Sequence, residues 1–282
     1  MADSLLVWSE AAGLMSAHEP ESAHAPLLAA DSWLLHDGAV RGLDLHAGRF
    51  ATACAEVGGV SAATMAAFWA AAVDQLPSTG TWFPRVELAS RPRGRLALRL
   101  RSAPPRFQQA RVGVSDSVDP RRVPRRKGPD LGVLADWRKA AAAAGADDVL
   151  LRTRSGHVVE TATSNLLWWA DGALCLPSSS LPTLSGVTTR LLQQHARECG
   201  IEVREVCCRL DEFAGRTVWI VNALHGIRYV SAWVGAHIAV GPDIDSPSWR
   251  AWLASQARPI RSPAAESSTS WGSSNSVSMT RL

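Results

Sequence analysis

Apolar residues recur along this chain with two periods, and the alternation between them outlines a mixed sequence of strands and helices. From Ser32 to Leu45 the pattern SWLLHDGAVRGLDL predicts two strands joined across His36-Asp37-Gly38. A helix is expected from His46 to Gly58-Gly59, and Ser61 is placed to cap a second, AATMAAFWAAAVDQL, that stops at Pro77. Three β-like runs follow, WFPRVELAS, GRLALRLRSA and ARVGVSDSV, with RPRG as the turn between the first two. Residues 1–30 have weak periodicity and predict only one strand or short helix plus loop.

The second half is more regular. Asp130 can cap the helix LGVLADWRKAAAAAG, which Gly145 ends. Hairpins are expected across Arg154-Ser155-Gly156 and across Asp171-Gly172. A loop from Pro182 to Gly186 leads into the helix VTTRLLQQHARECG, ending at Gly200. Strands IEVREVCCR and TVWIVNAL flank the short helix LDEFAG, and IRYVSAWV and HIAV complete the strands. The segment from Asp119 to Pro129 is a loop by composition and reads as a domain joint. The expected organisation is a smaller domain over 1–120, a larger one over 121–242, and a Ser-rich disordered tail over 243–282.

Composition narrows the function classes. A net charge of +3 is too small to imply nucleic acid or an anionic membrane as a partner, and no apolar run approaches a membrane span. Five cysteines, an odd number without CxxC spacing, and an N-terminus without a signal-peptide pattern lead to an expected cytoplasmic location. The chain lacks GxSxG, HExxH and Walker motifs, and its eight histidines are scattered without ligand spacing, so no metal site is expected. The basic run Arg121–Lys127 is short and lacks the interleaved aromatics of a nucleic-acid patch. Lysine is scarce: only Lys127 and Lys139 are available for amine chemistry. Lys139 falls on the exposed face of an Ala-rich helix. Lys127 lies in RRKGPDL, where Arg125 and Arg126 would depress its pKa if they stay close; on composition alone a solvated basic loop is the favoured reading, which the motifs further along reverse.

Four motifs occur in order: KGPDL at 127–131, GADDVLLRTRSGHVVETATSNLLWW at 145–169, LPTLSGVTTRLL, and VNALHGIRYV. Together they resemble the larger domain of the class IV aminotransferases, the fold type IV enzymes that use pyridoxal phosphate. LHAGRF at 45–50 is similar to that family's phosphate-binding Arg motif, whereas AADSWLL matches its glycine-rich N-terminal signature poorly. The resemblance implies an α+β, two-domain fold with the cofactor between the domains, and a homodimer with sites near its interface.

The resemblance also assigns residues. Lys127 would form the Schiff base and move the substrate proton, and Glu160 would pair with the pyridinium nitrogen, unless it is an ordinary strand-end Glu. Gly186, Val187 and Thr188 open a helix, whose free N–H groups and positive dipole end suit a phosphate; a plain Ser185 N-cap is compatible with this. Arg49 would add a charge-assisted contact to that phosphate, or else is a surface helix Arg. Asn222 would stand near the phosphate or substrate, or else forms a turn, and Ser164 and Asn165 would support the site. Asp130 stands where the family has Asn. The implied reaction transfers an amino group between an amino acid and a 2-oxo acid. The alternative is a 4-amino-4-deoxychorismate lyase releasing pyruvate and 4-aminobenzoate, which the NAL sequence at Asn222–Leu224 favours. A non-catalytic relative is the third reading.

Overall fold

The structure, a computed structural model, describes residues 4–17, 26–90 and 94–261. The chain begins with a hairpin of β1 (Ser4–Ser9) and β2 (Gly13–Ser16), more strand than the weak pattern there predicts. Then come β3 (Leu27–Ser32), β4 (Leu35–His36) and β5 (Ala39–Arg41). Asp37 and Gly38 both take positive φ, 44° and 70°, which makes the expected two-residue turn. Helix α1 (Leu43–Val57) starts three residues ahead of His46, after Gly42 in the left-handed region. Helix α2 (Ala62–Asp74) is capped as expected, with Ser61 Oγ accepting from the Thr64 amide at 3.0 Å. Strands β6 (Thr81–Trp82), β7 (Arg85–Ala89) and β8 (Arg95–Leu100) follow. Most of the RPRG turn lies outside the described residues.

These strands form a five-stranded antiparallel sheet, β2-β1-β8-β7-β3, and a small four-stranded one closed by β17 (Ala257–Pro259), β17-β5-β4-β6. Phe50, Cys54, Phe68 and Ala72 of α1 and α2 pack with Val86, Leu88, Leu96 and Leu98 of the larger of these sheets. Burial of each such large side chain contributes about 1.5–3 kcal/mol.

From Gln109 the chain builds the eight-stranded sheet β11-β10-β9-β16-β15-β12-β13-β14. Its strands are β9 (Gln109–Gly113), β10 (Asp148–Arg152), β11 (Val158–Thr161), β12 (Asn165–Ala170), β13 (Ala173–Pro177), β14 (Val203–Val206), β15 (Val218–Asn222) and β16 (Gly226–Val234). The sheets therefore divide between residues 100 and 109, ahead of the joint expected at 119–129. HIAV forms no strand. Helices α3 (Leu131–Ala143) and α4 (Val187–Glu198) come from the predicted stretches. Alternation sorts the sheet's side chains: Leu166, Trp168 and Ile220 enter one core, and Leu167, Trp219 and Val221 the other.

The tail departs from expectation at its start. Residues 246–255 form helix α5 (Ser246–Ser255), whose Trp249 and Leu253 join the second core, and β17 pairs with β5. Order persists past Pro242 because SWRAWL carries apolar residues three to four apart, a period the Ser-rich composition hides. Residues 262–282 lie outside the described residues.

Candidate active site

Loop 119–130, the start of α4, the end of β11 and the turn between β15 and β16 converge on one cavity of about 750 Å³. All seven residues singled out in the sequence border it: Arg49, Lys127, Glu160, Gly186, Val187, Thr188 and Asn222.

Lys127 is held through its backbone. Its carbonyl accepts from the Ala30 amide of β3 at 2.7 Å. The next residue, Gly128, has φ of 132°, and a Cβ there would lie 2.8 Å from the Ala29 backbone. The loop can press against β3 only because that position has no side chain. The Lys127 amine makes no hydrogen bond or ion pair with a described residue. Burial holds its pKa down to about 8; Asp31 opposes this, and Arg49, Arg101 and Arg85 add to it. Of the neighbours expected to do this, Arg125 donates to the carbonyls of Ser179, Ser180 and Leu181, and Arg126, which borders the same cavity, pairs with Glu56 at 3.6 Å.

Arg49 is fixed by a residue that sequence reading missed. Asp31, fully buried on β3, accepts from Arg49 Nε and Nη2, each at 2.7 Å, and its Oδ1 lies 2.8 Å from His46 Nδ1. Burial alone raises the Asp31 pKa, but Arg49 and His46 outweigh it and hold the carboxyl below the usual range. Arg49 Nη1 also donates to the Ser185 carbonyl at 3.0 Å, which ties α1 to the start of α4. That start is capped by Gly186, not by the Ser185 hydroxyl. A signal did exist: His46 and Arg49 lie three apart, on one helix face, after a lone acid in an apolar strand.

Glu160 closes the other side. Its Oε1 accepts from Arg121 Nη1 and from the Leu184 amide at 3.1 Å, and its Oε2 accepts from Asn165 Nδ2 at 2.7 Å. Burial raises its pKa to about 7 although Arg121 pulls it down. Arg121 also pairs with Asp119 at 2.6 Å, so the guanidinium bridges two carboxylates. Asp130 does not cap α3 with its side chain, contrary to expectation. Its carboxylate accepts instead from the amides of Arg122 and Val123, at 3.1 and 2.9 Å, and so shapes the loop that carries Arg121 and Lys127.

Asn222 takes the turn-forming role while bordering the cavity. Its Oδ1 accepts from the His225 amide at 2.8 Å, and its Nδ2 donates to Ser164 Oγ at 3.0 Å. Arg41 Nη2 donates to the Ala223 carbonyl at 2.9 Å and pins this turn to β5.

The family profile of the class IV amino-transferases matches residues 29–233. A Rickettsia felis protein described as a branched-chain-amino-acid aminotransferase is 31% identical over 80 residues. That match spans 28% of this chain and 27% of the relative's length. Among solved structures, a branched-chain aminotransferase of Thermoproteus uzoniensis, with norvaline, has a TM-score of 0.73 at 17% identity, covering 92% of this chain and 100% of that one. A structure described as a 4-amino-4-deoxychorismate lyase of Legionella pneumophila has a TM-score of 0.67 at 19% identity, covering 81% and 90%. The α+β fold expected from the sequence is the fold of these structures.

Proposed function

The chain belongs to the class IV aminotransferase family, whose members depend on pyridoxal phosphate, and we propose that it transfers an amino group between an amino acid and a 2-oxo acid. The observation that carries this reading is the Lys127 amine, unbonded and facing a cavity also bordered by Arg49, the α4 start and Glu160. These residues fit the cofactor. A Cβ at Gly186 would stand 1.9 Å from Asn165 Oδ1, so this helix start keeps its backbone open only with glycine. Arg49 and the first amides of α4, with Thr188, would hold the phosphate, and Glu160 would hold the ring nitrogen.

When bound, pyridoxal phosphate supplies an aldehyde for amine exchange and a ring that accepts the electron pair left at the α-carbon. The chain's own part is to orient and to move protons. Burial holds the Lys127 amine well below the ordinary lysine range, near 8, so its unprotonated form, which can take the α-proton, is reached at a lower pH than for a solvated lysine. Glu160, buried and braced by Arg121 and Asn165, places a carboxyl group, its pKa raised by burial to about 7, where the ring nitrogen would lie. A homodimer with sites near its interface, and a cytoplasmic location, go with this reading. Among the described residues no helix is long and apolar enough to cross a membrane.

The lyase is the second reading, favoured by the Asn222-Ala223-Leu224 turn. Both are tested by mixing purified, cofactor-loaded protein with amino acids with and without a 2-oxo acid. Transfer that requires the acceptor supports the first reading. Pyruvate released from 4-amino-4-deoxychorismate without an acceptor supports the second. A colourless protein that takes up no pyridoxal phosphate overturns both.

A further inference from the structure

His46 on α1 is 1% exposed, yet its ring borders the cavity. One edge of that ring is fixed. Nδ1 lies 2.8 Å from Asp31 Oδ1, and Arg49 holds Asp31 as a carboxylate, which can only accept. The ring proton therefore sits on Nδ1. Asp31 does not border the cavity, so the edge that meets the cavity is the one turned away from it, which carries Nε2. Nε2 makes no hydrogen bond with a described residue. Burial lowers the His46 pKa, Asp31 raises it, and Arg49 and Lys127 lower it; the outcome lies below the ordinary histidine value. Near neutral pH the ring is uncharged, and Nε2 presents a lone pair.

A buried acceptor without a donor is costly. Arg49 does not supply the donor, because its nitrogens are already bonded to Asp31 and to the Ser185 carbonyl. The Lys127 amine can, since it too is without a partner among the described residues. Adjacent residues of β3 hold the two: the Ala30 amide donates to the Lys127 carbonyl at 2.7 Å, and Asp31 grips the His46 ring. Lys127 is near enough for its charge to act on His46, and its flexible stem covers the remaining gap.

We propose that His46 is a positioning residue for Lys127: the free amine donates one N–H to His46 Nε2, which holds it in the cavity before and after it takes the α-proton. That the amine is free while substrate is bound rests on the aminotransferase reading. The contact itself belongs to the chain alone.

The contact is read in cofactor-free protein from the ring nitrogens of His46, by NMR spectra assigned through bonds. The ring should be neutral with its proton on Nδ1, and Nε2 should shift far more than Nδ1 as Lys127 titrates near pH 8. In Lys127→Met that shift should vanish. The charges facing the pair, Asp31, Arg49, Arg101 and Arg85, remain in both proteins. An Nε2 signal with the same pH dependence in both overturns the proposal. So does a His46 ring that gains a proton when pyridoxal phosphate is added, which would make it a phosphate partner instead. Kinetics separate positioning from mere support. His46→Asn keeps a donor for Asp31 but removes the acceptor that favours the ammonium. The acid limb of its kcat profile should move to lower pH, with kcat down about ten-fold and KM little changed. An unmoved acid limb overturns the proposal; if this variant does not fold, the spectra decide. A protein that takes up no pyridoxal phosphate overturns the aminotransferase reading, whereas a yellow protein without the Nε2 shift overturns the role of His46 alone.

Discussion

Asn165 joins Glu160 to the start of α4: its Nδ2 donates to Glu160 Oε2 at 2.7 Å, and its Oδ1 occupies the space where a side chain on Gly186 would begin. The same amide oxygen accepts from Thr189 Oγ1 at 3.1 Å. One side chain therefore sets the distance between the acid and the proposed phosphate seat. Gly186→Ala should push Asn165 out of this position, because a Cβ contact at 1.9 Å leaves no room. Overpacking of this kind costs about 1–3 kcal/mol. The expected outcome is a lower Tm and a loss of pyridoxal phosphate affinity of roughly ten-fold or more, read by titrating cofactor-free protein. Unchanged affinity would show that the helix start does not hold the phosphate.

Lys127 gives a prediction in the absence of cofactor. Its pKa falls from an ordinary 10.5 to about 8 on folding, so the unfolded chain binds more protons between those values. The charged amine destabilises the fold fully below pH 8, and the cost disappears as pH rises from 8 to 10.5. Lys127→Met should raise the Tm of cofactor-free protein at pH 7, and the gain should shrink by pH 10. The same variant should stay colourless with pyridoxal phosphate and lose activity by about 10³-fold or more.

Much of this site was legible in the sequence, and the misses share a cause. Lys127, Glu160 and Gly186–Thr188 were picked out through the family resemblance of the motifs that contain them, and they border one cavity. Asp31 was missed because its meaning comes from His46 and Arg49, 15 and 18 residues further on, across a strand–helix connection. Arg121, Arg125 and Arg126 are alike in composition, yet one bridges two carboxylates, one binds three carbonyls and one meets Glu56. Only the folded loop distinguishes them. Asp130 shows local preference losing to tertiary context: a residue suited to capping α3 binds the preceding loop instead. The order at α5 was hidden by the Ser-rich composition around it, although its apolar spacing is helical.

Glu160 carries the opposite proton linkage to Lys127. Its pKa rises from 4.5 to about 7, so the folded protein binds more protons than the unfolded chain over that range. The cost of the buried charge is absent below pH 4.5 and complete above pH 7. Glu160→Gln removes this slope, so its stability relative to wild type should be more favourable at pH 8 than at pH 5 in denaturant titrations. Its turnover should fall by about 10²-fold as the ring nitrogen loses its partner, while the protein stays yellow because Lys127 is intact. A full-rate Glu160→Gln enzyme would remove Glu160 from the reaction.

Asp31 separates architecture from direct cofactor contact. It does not border the cavity, but it holds the guanidinium that does, through two hydrogen bonds of 2.7 Å. Asp31→Asn keeps the shape and removes the charge: the amide oxygen can still accept one hydrogen bond, but neither Arg49 nor His46 then faces an anion there. Breaking a buried pair from one side costs about 3–5 kcal/mol, so a clear drop in Tm is expected. The phosphate would then have to neutralise Arg49 alone, and pyridoxal phosphate should recover more of the lost stability in Asp31→Asn than it adds to wild type. Pyridoxal, which lacks the phosphate, should recover none of it. Thermal melts of both proteins with each ligand make the comparison, and equal rescue by pyridoxal would mean that Arg49 serves the fold and not the phosphate.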